Sequence, residues 1–149
     1  MLGEIKFTIS TRTSASPEDI IDVLADWHRL PQYWHGMREI SESSGRMLNV
    51  RFAFPSEGKM SYICDMDSMC CTENYHNGPF SGFKRVELSE SESGTAITVK
   101  WNIRLSTKLI LFRRIVERHL QQGTEHALQR IVLDAEKRIK VPSRFVMQR

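Results

Sequence analysis

The chain has 149 residues, 40% hydrophobic and 26% charged, with a formal charge of +3. That length suits one domain with a sizeable core, and the balance is that of a globular chain rather than a disordered or fibrous one. No apolar run approaches the ~18 residues of a membrane span and the N-terminus carries no signal-peptide pattern, so neither stable membrane insertion nor secretion is expected.

Taken in order, Glu4–Arg12 alternates, with Ile5, Phe7 and Ile9 on one face and Lys6, Thr8 and Ser10 on the other, which predicts a half-buried strand. Ser16-Pro17-Glu18-Asp19 then predicts a helix start: a serine cap, proline in the first turn and acids at the positive end of the dipole. Ile20, Val23, Leu24 and Trp27 follow at helical spacing, and this helix should stop near Trp27–Leu30. A second short helix is expected from Pro31, with Gly36 ending it. Met37–Ser44 reads as a polar-diluted strand, Gly45 as a turn, and Leu48, Val50, Phe52 and Phe54 alternate as a strand.

Lys59–Met69 predicts a strand with Met60, Tyr62, Cys64 and Met66 on one face and Asp65 and Asp67 on a solvated one. Cys70–His76 is a further strand, and Asn77-Gly78 is a hairpin signal. Phe80–Glu90 is strand-like with Val86 and Leu88 inward. In Thr95–Leu105 the residues Ile97, Val99, Trp101, Ile103 and Leu105 alternate with polar ones. Thr107–Lys140 predicts a long helix, with Phe112, Val116, Leu120, Gly123, Ala127, Ile131, Ala135 and Ile139 as its apolar or small stripe. It could span roughly 50 Å and divides into a short piece near 107–114 and a main piece near 116–140. Pro142 should end it, leaving 141–149 as a basic tail.

Hairpin-linked strands imply an antiparallel sheet covered on one face by helices, an α+β arrangement. A twisted sheet of six to seven strands would curl around the long helix. Charge is uneven: residues 107–149 hold 10 Lys/Arg against 4 Asp/Glu, whereas residues 1–106 hold 11 against 14. A solvated helix face accounts for this, and an acidic partner or anionic surface is the sharper alternative. The cysteines are Cys64, Cys70 and Cys71; an odd count with an adjacent pair argues against a disulfide framework and for a reducing cytoplasm.

The segment SASPEDIIDVLADWHRLPQYWHGMREI, with Pro17, Asp26, Pro31 and Trp34, resembles the first helix pair of the START-like, helix-grip (SRPBCC) superfamily in its polyketide cyclase/dehydrase and lipid-transfer branch. GTEHALQRIVLDAEKRI, with Ala127-Leu128, resembles that family's closing helix. The resemblance covers residues 4–140, and we take 1–140 as the helix-grip domain. It implies a cavity between curved sheet and closing helix that holds a lipid, sterol, polyketide or other apolar molecule.

Phe7, Leu48, Val50, Phe52, Met60, Met66, Val99, Trp101 and Ile103 are expected on the concave face, with Trp34 beside them and Val116, Leu120, Gly123 and Ala127 opposite. A plain core without a cavity is equally compatible with that set. Seven methionines suit a deformable pocket. Tyr62, Cys64, Asn74 and His76 would add polar groups if they point inward, the usual make-up of a small-molecule site. Gly123 fits close packing, a bend or room for a ligand.

His119 or Tyr62 could act as acid or base in a cyclase/dehydrase-type enzyme. Partial exposure and a rim position are the simpler accounts of each. His126, about 10 Å from His119 along a helix, is too far to share one metal ion with it. The cysteines and His76 lack zinc spacing, and no phosphate loop, nucleophile elbow or carboxylate pair is present. No metal or cofactor is therefore expected, nor nucleic acid as a partner. The leading expectation is a binding protein for a hydrophobic small molecule, monomeric or homodimeric. The alternatives are that enzyme, or an interaction module using Arg113, Arg114 and Arg118.

Overall fold

The computed structural model describes residues 2–53 and 56–147, with side chains described as far as 137. Phe54, expected to close a strand, and the side chain of Ile139 lie outside the described residues. Seven strands form one antiparallel, curved sheet: β1 (Glu4–Thr13), β2 (Met37–Glu42), β3 (Leu48–Phe52), β4 (Glu57–Asp65), β5 (Cys70–Tyr75), β6 (Phe80–Ser91) and β7 (Gly94–Leu105). Their order is β1-β7-β6-β5-β4-β3-β2. Consecutive strands from β2 to β7 are neighbours, so the alternating segments need only short turns to pair. β6 bends at Gly82, whose φ of +120° only glycine adopts readily and whose added Cβ would lie 2.2 Å from the Asn102 carbonyl oxygen.

Between β1 and β2 the chain forms α1 (Pro17–Leu24) and α2 (Leu30–Tyr33), joined by a 3-10 turn at Trp27–Arg29. Ser16 caps α1 as its sequence predicts, its Oγ accepting from the Asp19 N–H at 3.2 Å. Ile20, Ile21, Val23 and Leu24 are buried by that helix. Trp34 ends α2, two residues before the expected glycine.

The long helix does divide. A 3-10 turn covers Thr107–Phe112, and α3 runs Arg113–Met147. Phe112, expected on the buried stripe, is half exposed. It belongs to the 3-10 turn, whose tighter period rotates it off the α-helical stripe. Val116, Ala127, Leu128, Ile131 and Ala135 are buried, and α3 packs against α1, α2 and β1. Polar ties fix its angle. Tyr33 Oη donates to Asp134 Oδ2 at 2.6 Å, Arg130 donates to the Tyr33 carbonyl at 2.8 Å, and Thr13 Oγ1 donates to Glu136 Oε2 at 2.7 Å. The helical backbone passes through Pro142 to Met147, so the expected stop at Pro142 is corrected; the proline removes one backbone hydrogen bond without ending the element.

Two further expectations are corrected around the β4–β5 hairpin. β4 stops at Asp65, whose Oδ1 accepts from the Asp67 and Ser68 N–H groups at 3.0 and 3.4 Å. Met66 therefore sits in the turn, exposed, and not on the concave face. That turn also sets Cys64 opposite Cys71, and the two form a disulfide, with Cα atoms 4.0 Å apart. Counting cysteines could not reveal this, because adjacent Cys70 and Cys71 point to opposite faces of the strand. Only Cys70 is free among the described cysteines. The expectation of a reducing compartment rested on unpaired thiols and loses that basis.

Thiol titration of the unreduced, denatured protein should detect one thiol, Cys70, where three would mean no disulfide. Closing a loop this short restricts the unfolded chain by about 2 kcal/mol. Reduction, or the double substitution Cys64→Ala/Cys71→Ala, should lower the urea-unfolding free energy by that amount.

Candidate functional site

Between the concave face and the middle of α3 lies a cavity of about 390 Å³. Its floor is aromatic. Phe52 on β3, Tyr75 at the end of β5, Phe80 at the start of β6 and Trp101 on β7 contact one another, with ring centroids 4.9 Å apart for Tyr75–Phe80 and 6.0 Å for Tyr75–Trp101. Trp34 and Met37 close one side, and Leu120, Gly123 and Thr124 of α3 form the roof. His35, His119, His126 and Arg130 also line it, the three histidines being exposed. Gly123 has nothing within 4 Å of the place a Cβ would take. It is thus no packing glycine: it leaves the roof open.

Among the lining residues Lys84 is a buried charge, and Glu73 lies behind it. Lys84 and Glu73, at 1% and 2% side-chain exposure, form an ion pair with Nζ 2.7 Å from Oε2. Tyr75 Oη donates to the other Glu73 oxygen at 2.5 Å. The ammonium lies 3.1 Å from the ring centroid of Trp34 and 5.4 Å from that of Trp101, an aromatic cage for a cation. Burial pushes the Lys84 pKa down to about 8, although the Glu73 carboxylate opposes the shift. Burial, then the Glu73 charge, raises the Tyr75 phenol. Trp101 Nε1 donates to Thr124 Oγ1 at 2.9 Å, linking floor to roof. Trp34 Nε1 is buried with no hydrogen-bond partner among the described residues.

Of the residues expected at the cavity, Trp34, Phe52, Trp101, His119, Leu120 and Gly123 line it. Phe7, Leu48, Val50, Met60, Val99, Ile103, Val116 and Ala127 instead pack in or against the surrounding core. Tyr62 faces inward but does not line the cavity: its hydroxyl donates to the Leu24 carbonyl at 2.6 Å, and burial raises its pKa. It cannot meet His119 at one cavity point, which removes that acid/base pairing. Cys64 is consumed by its disulfide.

Asn74 and His76 lie on the opposite face of the sheet from Tyr75, with His76 Nε2 3.3 Å from Ser61 Oγ. The inward residues of β5 are Cys71, Glu73 and Tyr75, paired with Val86, Lys84 and Gly82 of β6. The signal for them was present. Lys84 shares parity with Val86 and Leu88, and a two-residue turn at Asn77-Gly78 puts odd positions of β5 beside even ones of β6. Asn74 and His76 are the polar groups that the sequence reading offers instead; Glu73 and Lys84 are buried as a pair, as charged residues rarely are otherwise.

No protein-family model and no curated protein sequence matches the chain. Solved structures do. The di-domain ARO/CYC StfQ from the steffimycin biosynthetic pathway superposes with a TM-score of 0.75 at 11% identity, over 94% of this chain and 53% of StfQ. The chain thus spans about half the length of that protein. The Zhui aromatase/cyclase from a Streptomyces species gives 0.72 at 10% identity, over 93% of this chain and 96% of its own. A START superfamily protein from Mycobacterium smegmatis gives 0.67 at 12% identity, over 91% and 98%. The chain has the START-like helix-grip fold.

Removing one partner of a buried ion pair strands the other's charge, at a cost of about 3–5 kcal/mol. Lys84→Met should therefore destabilise strongly in urea unfolding, and Lys84→Met/Glu73→Leu should recover most of the loss. Between pH 8 and pH 10 the unfolded lysine, with an ordinary value of 10.5, keeps a proton that the native one has lost. Lys84 then makes stability rise with pH, by at most about 1.4 kcal/mol per unit. The raised tyrosines oppose this only above their ordinary value of 10.0. The slope should vanish in the double variant.

Proposed function

We propose that the chain binds a hydrophobic small molecule, aromatic or polyketide-like, in the cavity beneath α3. The observation that carries this reading is an open chamber lined by the rings of Trp34, Phe52, Tyr75, Phe80 and Trp101. Apolar walls supply affinity and a few fixed polar groups supply orientation, the usual division in ligand pockets. Trp34, Phe52, Tyr75, Phe80 and Trp101 would offer ring faces and edges to an aromatic guest. Two of the structural neighbours named above are described as ARO/CYC or aromatase/cyclase proteins, which supports an aromatic guest. Lipids and sterols are the other apolar guests this fold suggests, and the aromatic lining favours rings over flexible chains.

A cyclase/dehydrase-type enzyme in the same cavity is the second reading. It is supported by Lys84, an amine with a pKa near the physiological range beside a carboxylate. On this reading the Lys84–Glu73 pair, rather than His119 and Tyr62, moves the proton.

Native mass spectrometry of freshly purified protein should find a bound apolar molecule, and anilinonaphthalene sulfonate should bind with a fluorescence increase. Gly123→Leu places a side chain in the open roof without touching the core. It should cut dye affinity at least about tenfold while raising helix stability by about 1 kcal/mol. Unchanged dye binding in that variant would sink the proposed location. Recovery of a guest chemically altered after incubation, lost in Lys84→Met/Glu73→Leu, would favour the enzyme.

A further inference from the structure

The start of the closing helix presents an unusual surface. Leu111 is 91% exposed, Phe112 52% and Ile115 54%. Leu2 is also exposed, and the next residue, Gly3, abuts Ile110 of the same 3-10 turn. Isolated exposed apolar side chains are ordinary, but contiguous ones mark contact surfaces. Around them stand Lys108, Arg114 and Arg118, all exposed and with no ion-pair or hydrogen-bond partner among the described residues. Arg113, by contrast, is engaged: it donates to the Glu4 carbonyl and pairs with Glu117. Three uncompensated cations thus surround an apolar tip. Arg114 and Ile115 each lie within a turn of Arg118 on α3, and Leu111 and Phe112 stand in the 3-10 turn that leads into it.

We propose that this tip, the 3-10 turn and first turns of α3, is a docking surface for an anionic lipid bilayer. Leu111, Phe112 and Ile115 enter the headgroup boundary while Lys108, Arg114 and Arg118 meet lipid phosphates and carboxylates. Among the described residues no helix is long and apolar enough to cross a membrane, so the association is peripheral. Its position is what gives it consequence. His119 lies one turn beyond Ile115, about 6 Å along the axis, and lines the cavity. Docking would bring the cavity mouth close to the lipid surface, where an apolar guest is stored. The surface stands on its own observations and holds whether or not the proposed ligand reading does.

The test is vesicle co-sedimentation of the full chain. Phosphatidylcholine vesicles containing phosphatidylserine should pellet the protein, pure phosphatidylcholine should not, and added salt should release it. Arg114→Glu/Arg118→Glu should weaken binding at least about tenfold, and Leu111→Ser/Phe112→Ser should abolish it, with circular dichroism unchanged in both. Equal pelleting by the two vesicle types, no pelleting, or variants that bind like the parent would each overturn the proposal. So would a concentration-dependent dimer in analytical ultracentrifugation that Leu111→Ser/Phe112→Ser dissolves, since the patch would then join two copies of the chain.

Discussion

A curved sheet wrapped about a single helix is constrained by what that helix offers at each turn. Along α3, Ala127, Leu128, Ile131 and Ala135 are buried, near the residues that hydrogen-bond to β1, α2 and their flanks. One turn earlier the stripe carries Gly123, which has no side chain, and Thr124, whose short side chain meets the floor only through its hydroxyl on Trp101. The opposite wall consists of large rings held by the strand register. Protein interiors are close-packed, with few voids larger than water. A chamber of about 390 Å³ at this level is thus the consequence of placing small residues over an aromatic floor. Larger apolar residues at 123 and 124 would give a more stable protein with nowhere to hold a guest.

The buried charges follow the same logic. Desolvating an ammonium and a carboxylate costs several kcal/mol per ion, and their attraction seldom returns much more than that. A pair of hydrophobic residues would serve stability as well as Lys84 and Glu73. What the pair adds is a fixed dipole at the cavity floor, with Tyr75 and two indoles held around it. Low dielectric strengthens the field such a group exerts on a bound molecule.

Element order and type were readable because the alternation in Thr95–Leu105 and Glu4–Arg12 and the cap at Ser16 are local signals, each confined to a few residues. The side of the cavity built by α3 was readable for the same reason: Leu120 and Gly123 fall on the helical stripe. The β5 side was not. Inward parity there depends on register with β6, a non-local property, and a one-residue error exchanges Glu73 and Tyr75 for Asn74 and His76. Cross-strand pairing likewise decides that Cys64 meets Cys71. Tyr62 shows a further limit: it does face inward, but the C-terminal end of α1 reaches it first and takes its hydroxyl.

The indole of Trp34 bears on how the molecule can be studied. Of three tryptophans, Trp34 and Trp101 border the chamber, while Trp27 stacks on His28 outside it. Trp34 also has an ammonium against its ring face. Indole emission depends on local polarity and nearby charge, so the protein carries its own optical reporter of occupancy. A guest entering beneath α3 would change the colour and intensity of that light with no label attached.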